Sequence, residues 1–592
     1  MLIVCLTALC AVIVVHVARS FANLVAGGGW EFTPRTESFS ALPGLLAGDS
    51  GAGLTPRPGR ASIRTLYSAI FVFETSAFLW WVWLLRWWTS RWGAARVQGM
   101  ADGALAKRLL GVSRLHRSAE VLRPDLPRCP RPRASELGWR IGTASEPRTG
   151  QKLWVPWDRT AGVIGPQGSG KTLDLLAPAL LNSPGPAVVT LTKVDDLLLT
   201  VGARSEHDRP VAVLDPFGLA PGLPSFVFDL LAGCWDAAIA ERRAKAFTAG
   251  TLRDASSNGP AEVARFYAAE ASKVLQAYFH AAALDGGTLD EVLTWVANPH
   301  AATEPYEILK SHRDAAPMWH GLLHGSLRGD DRTAANTIAT VQQAMSLFFQ
   351  ADIRERCVPT VEHPATDVAA LLERRGTIYL LGREDPYASA SPLMTAAVEH
   401  ILDTALALAN RSPHGKLSPP LLAVLDELPS TAPIPTLLTR MANERALGIT
   451  FIYAAQTWRQ LAGVFGENGA RALLGLTNVL CFFGGSKDAG FNQEISDLLG
   501  QVRVPRVHWH GGALGTRNVS ADDIPVMTGA ELRQLPERRA LVVAENGKPI
   551  VAKLDRAIDG RPGRRLLARQ SEARARVAAS RRSASATTWE QT

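Results

Sequence analysis

Beyond residue 150 the chain alternates short apolar runs with longer stretches whose apolar residues recur every three or four positions. The runs are Ala161–Ile164, Ala187–Thr192, Val211–Leu214, Thr377–Leu381, Leu421–Leu425, Thr450–Ala454, Val479–Phe483 and Ala540–Ala544. Short β-branched or apolar runs set between helical patterns predict an α/β fold, a largely parallel sheet with helices on both faces. The alternation breaks between about 226 and 350, where Ala, Leu, Glu and Arg dominate and the spacing is helical, as in 237–244 and 268–283. This stretch is expected to be an all-alpha insertion between early and late strands of one sheet.

The amino-terminal pattern differs. Met1 to Val17 contains no Asp, Glu, Lys or Arg, and apolar character resumes after Arg19 as far as Ala26. No basic region precedes it, so a retained anchor is favoured over a cleaved signal, although the run is shorter than the roughly 20 residues a span prefers. The second segment, Leu66 to Leu85, ends in an indole cluster of Trp80, Trp81, Trp83, Trp87, Trp88 and Trp92, followed by Arg86, Arg91, Arg96, Lys107 and Arg108. Aromatic rings at the interface and basic residues beyond it place the rest of the chain in the cytoplasm. Two transmembrane helices, about 2–25 and 65–86, are thus expected around a Gly-, Pro- and Ser-rich external loop. Glu74 lies inside the second segment, where a carboxylate serves an inter-helix contact or a proton relay.

The 592 residues exceed one core, and 47% hydrophobic with 20% charged residues describes a globular chain of two or three domains. The six cysteines have no C-x-x-C spacing, which excludes a disulfide framework or a zinc site. The net charge of +8 is modest, but from about 560 Arg561, Arg564, Arg565, Arg569, Arg574, Arg576, Arg581 and Arg582 form a basic tail, expected to be mobile. The expected organisation is an anchor (1–92), a juxtamembrane linker (93–150), a nucleotide-binding domain in two parts (151–225 and 351–560) around the insertion (226–350), and the tail (561–592).

The chemistry centres on Gly165-Pro166-Gln167-Gly168-Ser169-Gly170-Lys171-Thr172, which lies between a predicted strand and a predicted helix. In this G-x-x-x-x-G-K-[ST] pattern successive backbone N–H groups cradle phosphates at a helix N-terminus, the lysine reaches the β- and γ-phosphates of ATP, and the threonine hydroxyl ligates Mg²⁺. Leu421–Leu425 ends in Asp426 and Glu427. Asp426 is placed to hold the metal's water shell, and Glu427 to deprotonate the attacking water. Gln456 follows a strand directly and is placed to sense the γ-phosphate. Arg445, just before that strand, reads either as an arginine finger toward a neighbouring subunit or as a charge paired with Glu444. Lys193 and Asp215 also follow strands and line the same edge or serve structure. His320 and His324 lack the Glu of a metalloprotease motif, and His508-Trp509-His510 is a poor metal site.

In order and spacing these motifs resemble a type IV secretion coupling protein of the TraG/TraD family, inner-membrane ATPases that bring conjugative DNA and protein substrates to a secretion channel. The resemblance covers residues 1 to about 560, including Thr192-Lys193-Val194-Asp195, Arg445-Ala446-Leu447-Gly448-Ile449 and Leu532 to Val542. It implies a RecA-like P-loop NTPase domain with an inserted all-alpha domain that reads substrates, preceded by two transmembrane helices. It also implies a homo-hexamer with ATP at subunit interfaces, Arg445 acting in trans, and relaxase-bound single-stranded DNA as cargo. A double-stranded DNA translocase of the septal or chromosome-partitioning kind, a nucleotide-binding docking scaffold and an exporter of proteins alone are the competing readings. The insertion and the Asp426–Glu427 pair count against the first two.

Overall fold

The computed structural model describes residues 2–34, 36–54, 61–88, 99–127, 131–146, 149–252, 261–383, 389–510 and 516–589. The chain divides into two compact units, Met1–Ala95 and Arg96–Thr592.

The first unit pairs two helices, Leu2–Val25 and Ile63–Trp88, with the Phe21 and Phe73 rings 5.4 Å apart. Ile63–Leu84 is long and apolar enough to cross a membrane, and Leu9–Val25 is apolar. Polar residues of the first helix are held by the loop that follows it. Arg19 donates to Ala52 O (3.1 Å) and Thr33 Oγ1 (2.7 Å), and Asn23 Nδ2 donates to Ser50 O (2.9 Å), so the following loop folds around that half of the helix. Buried polar groups need such partners, and here the partners are protein groups of the loop. Trp80 and Trp83 are exposed. Trp92, Arg91 and Arg96 lie outside the described residues.

The second unit is built on an eleven-stranded sheet. In chain order its strands, with a separate hairpin, are β1 (Gly138–Glu146), β2 (Lys152–Pro156), β3 (Ala161–Ile164), β4 (Ala187–Leu191), β5 (Val211–Leu214), β6 (Thr377–Leu381), β7 (Leu421–Leu425), β8 (Ile449–Ala455), β9 (Val479–Phe483), β10 (Gln501–His510), β11 (Thr516–Pro525), β12 (Arg539–Ala544) and β13 (Ile550–Leu554). The sheet order is β2-β1-β13-β12-β9-β3-β8-β7-β4-β6-β5, and β10 pairs with β11 in a separate two-stranded sheet. The seven strands from β9 to β5 are parallel, and β12, β13, β1 and β2 extend them antiparallel. All eight strands expected from the sequence are present.

Successive residues of these strands point to opposite faces, and each face has its own core. Val188, Leu380, Ala423 and Phe451 pack on one side, and Val189, Leu381, Val424 and Ile452 on the other. The first face carries Ala237–Ala249, Ala261–Asp285, Ser391–Arg411 and Trp458–Leu476; the second carries Thr172–Asn182 and Val194–Arg204. Ser391–Arg411 is as long and apolar as a span, but most of it is buried here as a core helix.

Three expected boundaries differ. The helical insertion continues through Ala351–Cys357 and Val368–Glu373 until β6 begins, because these helices carry the buried Ile353, Leu371 and Leu372. The expected linker, 93–150, holds short helices and β1, whose Trp139 and Ile141 are fully buried. The expected mobile tail is a helix, Gly560–Trp589. Its Leu566, Ala573 and Val577 are buried, and Arg574 pairs with Asp195 on Val194–Arg204 at 2.9 Å.

Candidate functional site

β3, β8, β7 and β4 are neighbours and parallel, so the segments that follow them emerge at one edge of the sheet. Those segments are the phosphate loop, Gln456, Asp426-Glu427 and Lys193. In open α/β sheets this carboxyl edge is where ligands bind. A cavity of about 190 Å³ lies there, lined by residues 167–173, Thr192, Lys193, Asp196, Asp426 and Glu427.

The loop has the shape its glycines permit. Gly168 and Gly170 have φ of +76° and +94°, a region other residues rarely enter. Lys171 is buried and folds back on the loop, its Nζ donating to Gly165 O (2.6 Å) and Pro166 O (3.0 Å). Burial lowers its pKa, opposed by the carboxylates of Asp426 and Glu427. Among the described residues Ser169 Oγ is buried without a hydrogen-bond partner. An orphaned hydroxyl in a glycine-containing loop at the start of a helix suits an anionic ligand such as a phosphate.

Thr172 Oγ1 donates to Asp426 Oδ2 at 2.9 Å, joining residues 254 apart in sequence. Burial pushes Asp426 up to about 6; Glu427 and Asp196 add to the shift, and the Thr172 hydroxyl and Lys171 oppose it. A hydroxyl and a carboxylate side by side, in a pocket that penalises the carboxylate's bare charge, form a donor set suited to a hard divalent cation such as Mg²⁺. Glu427 adopts left-handed backbone angles, φ 51° and ψ 47°, a conformation that costs a non-glycine residue. Thr431 holds the turn by donating to Asp426 O (2.9 Å), with Glu427 O 3.1 Å away. The Glu427 carboxylate accepts from Gln456 Nε2 at 2.9 Å.

The structure therefore brings together Gly165 to Thr172, Asp426, Glu427 and Gln456. It does not bring Arg445 with them. That residue precedes the seven-residue β8 and Gln456 follows it, so the two are separated by roughly 23 Å of strand at 3.3 Å per residue. Arg445 lies at the opposite edge, its Nη1 3.4 Å from Asn478 Oδ1. Glu444 pairs with Arg440 instead, at 2.7 Å. Asp215 also stands apart, accepting from the N–H groups of Leu219 and Ala220 within its own turn. Asp196 was missed: burial raises its pKa, and its sequence signal, an acidic residue in a first helical turn, is that of ordinary helix capping.

Residues 420–537 match the family described as the TraM recognition site of TraD and TraG. No curated protein matches the chain by sequence. Among solved structures, the bacterial conjugative coupling protein TrwBdeltaN70 in its unbound monoclinic form is similar, with a TM-score of 0.53 and 20% identity over 71% of this chain and 92% of that one. Its trigonal form in complex with sulphate gives 0.51 and 19%, over 71% and 94%. The plasmid coupling protein TrwB in complex with ADP and Mg²⁺ gives 0.50 and 20%, over 71% and 94%. The fold is similar to that of TrwB: a mostly parallel sheet with helices on both faces and an all-helical domain between its strands.

Proposed function

We propose that the chain is a membrane-anchored ATPase that couples conjugative DNA, a relaxase-bound single strand, or protein substrates to a type IV secretion channel. The observation that carries this reading is the pair of hydrogen bonds Thr172–Asp426 and Gln456–Glu427 beside the phosphate loop. Support comes from the match of residues 420–537 and from the TrwB fold, of which one example binds ADP and Mg²⁺. Bound Mg²⁺ supplies charge neutralisation for the triphosphate. The chain's own residues do the rest. Lys171, released from its loop carbonyls, binds and orients the terminal phosphates; Thr172 and Asp426 hold the metal and its water; Glu427 takes the proton of the attacking water. Gln456 fixes the Glu427 carboxylate and, by exchanging that bond for one to phosphate, reports nucleotide state to β8.

The distance of Arg445 from this cavity supports a role in trans, reaching the nucleotide of a neighbour in a homo-hexamer. The helices between β5 and β6 form the domain that reads cargo. The anchor crosses the inner membrane with Ile63–Leu84 as its firm span and the first helix as its second, leaving the ATPase body in the cytoplasm. Single-stranded DNA passing such a ring is held mainly through its phosphates. The test is ATP turnover by the full chain in lipid nanodiscs. Activity stimulated by single-stranded DNA and abolished by Lys171→Ala supports the proposal. Equal turnover in the variant overturns the site, and stimulation by duplex alone overturns the cargo.

A further inference from the structure

Behind the phosphate loop the helix does not start as an α-helix. Thr172–Leu176 forms a π-turn in which Ala177 N–H reaches back to Thr172 O. The next donor in that ladder would come from Pro178, which has no N–H, so Leu173 O has no donor within its helix. Ala557 supplies one, its N–H donating to Leu173 O at 2.9 Å. Arg556, beside it, grips the same turn. Its Nε donates to Asp174 Oδ1 at 2.6 Å and its Nη2 to Oδ2 at 3.1 Å, a fork on a carboxylate that is fully buried. Asp174 in turn abuts the loop. Its N–H donates to Gly170 O at 2.8 Å, and its Oδ2 lies 2.6 Å from where a Cβ on Gly170 would stand.

A negative charge buried at the back of a phosphate cradle works against the cradle unless it is matched, because removing one partner of a buried pair leaves the full cost of the other. The forked guanidinium is the group that matches it, and it also fixes the carboxylate's orientation. Neither residue belongs to the phosphate-loop motif, and they are 382 positions apart in sequence.

We propose that Arg556 is a positioning residue of the nucleotide site: acting through Asp174, it cancels the negative charge buried behind the phosphate loop, so that the loop accepts an anionic ligand. This rests on the nucleotide reading above. The carboxy-terminal segment, leaving β13 and continuing as Gly560–Trp589, thereby becomes part of the phosphate-binding apparatus.

The test titrates a fluorescent ADP derivative, with Mg²⁺, into the full chain and its variants, recording melting temperature alongside. Arg556→Ala is expected to weaken binding roughly 10- to 100-fold, because the buried carboxylate is then unmatched beside the ligand's phosphates. The double variant Asp174→Asn with Arg556→Ala is expected to recover to within about threefold of the parent, because a neutral amide repels no phosphate. A merely structural clasp would leave the double variant, which also lacks it, no tighter than the single one. Should Arg556→Ala fail to fold, Arg556→Lys, which keeps the charge and loses the fork, is expected to bind about threefold more weakly. Unchanged affinity in the variant that folds, or no recovery in the double variant, overturns the proposal. A parent chain that binds no nucleotide overturns the underlying site reading, and that result is seen before any variant is compared.

Discussion

Replacing Asp426 by Asn should stabilise the ligand-free protein while removing its grip on metal. The carboxyl is buried and pushed up to about 6, mainly by desolvation. A raised carboxyl pKa means the folded chain holds this proton more tightly than the unfolded chain does. The stability it contributes is therefore complete below the ordinary value of 3.8 and is lost as pH rises through about 6. A shift of about two units corresponds to roughly 3 kcal/mol. Asn removes that penalty and still accepts from Thr172 Oγ1, but it gives up the attraction to Lys171, so the expected gain at pH 8 is about 1–3 kcal/mol. The assay is thermal unfolding of the apo protein, parent against variant, from pH 4 to 8. The expected Tm difference is near zero at pH 4 and opens between pH 5 and 7 to a few degrees, about 1–2 °C per kcal/mol for a body of this size. Mg²⁺ titrated at fixed nucleotide should bind the parent about tenfold more weakly at pH 5 than at pH 7, because proton and metal compete for one carboxylate. The variant should lack that dependence. A variant less stable than the parent at pH 8, or one with the same proton–metal competition, would refute the assignment of Asp426.

Two further outcomes follow from the same geometry. Gln456→Ala removes the donor that holds Glu427, so kcat should fall about 10- to 100-fold with nucleotide Kd within threefold, read from steady-state turnover and equilibrium titration. Arg445→Ala should leave Kd unchanged yet reduce turnover about 10³-fold or more if the residue acts across an interface. Mixing it with Lys171→Ala subunits should restore part of the activity, and a mixture as inactive as its components would remove the trans role.

Much of this was legible in the sequence because the parallel strands are short and apolar throughout, and their tips carry the site. Asp426 and Gln456 directly follow such runs and Glu427 comes one residue later, so reading the strand also located the residue. Of the antiparallel strands only β12 was legible. β1, Gly138–Glu146, mixes Trp139 and Ile141 with Arg140 and Thr143, and β10 contains Pro505, a residue that argues against a strand. The terminal helix hides Leu566, Ala573 and Val577 among arginines, so its packing face reads as a solvated tail. Arg556 was invisible for a related reason: it follows β13, an unread strand, and acquires its role only when β12–β13 folds back beside the loop. Arg445 was legible as polar in an apolar setting, but its edge of the sheet depends on strand direction, since it precedes β8 where the site residues follow their strands.

The most direct measurement is a comparison of parent and Glu427→Gln chains for ATP binding and single-turnover hydrolysis in the same preparation. The account predicts equal binding, with hydrolysis in the variant slowed about 10²- to 10⁴-fold, the range for loss of a general base. Equal hydrolysis in both, or no hydrolysis in the parent, would contradict it.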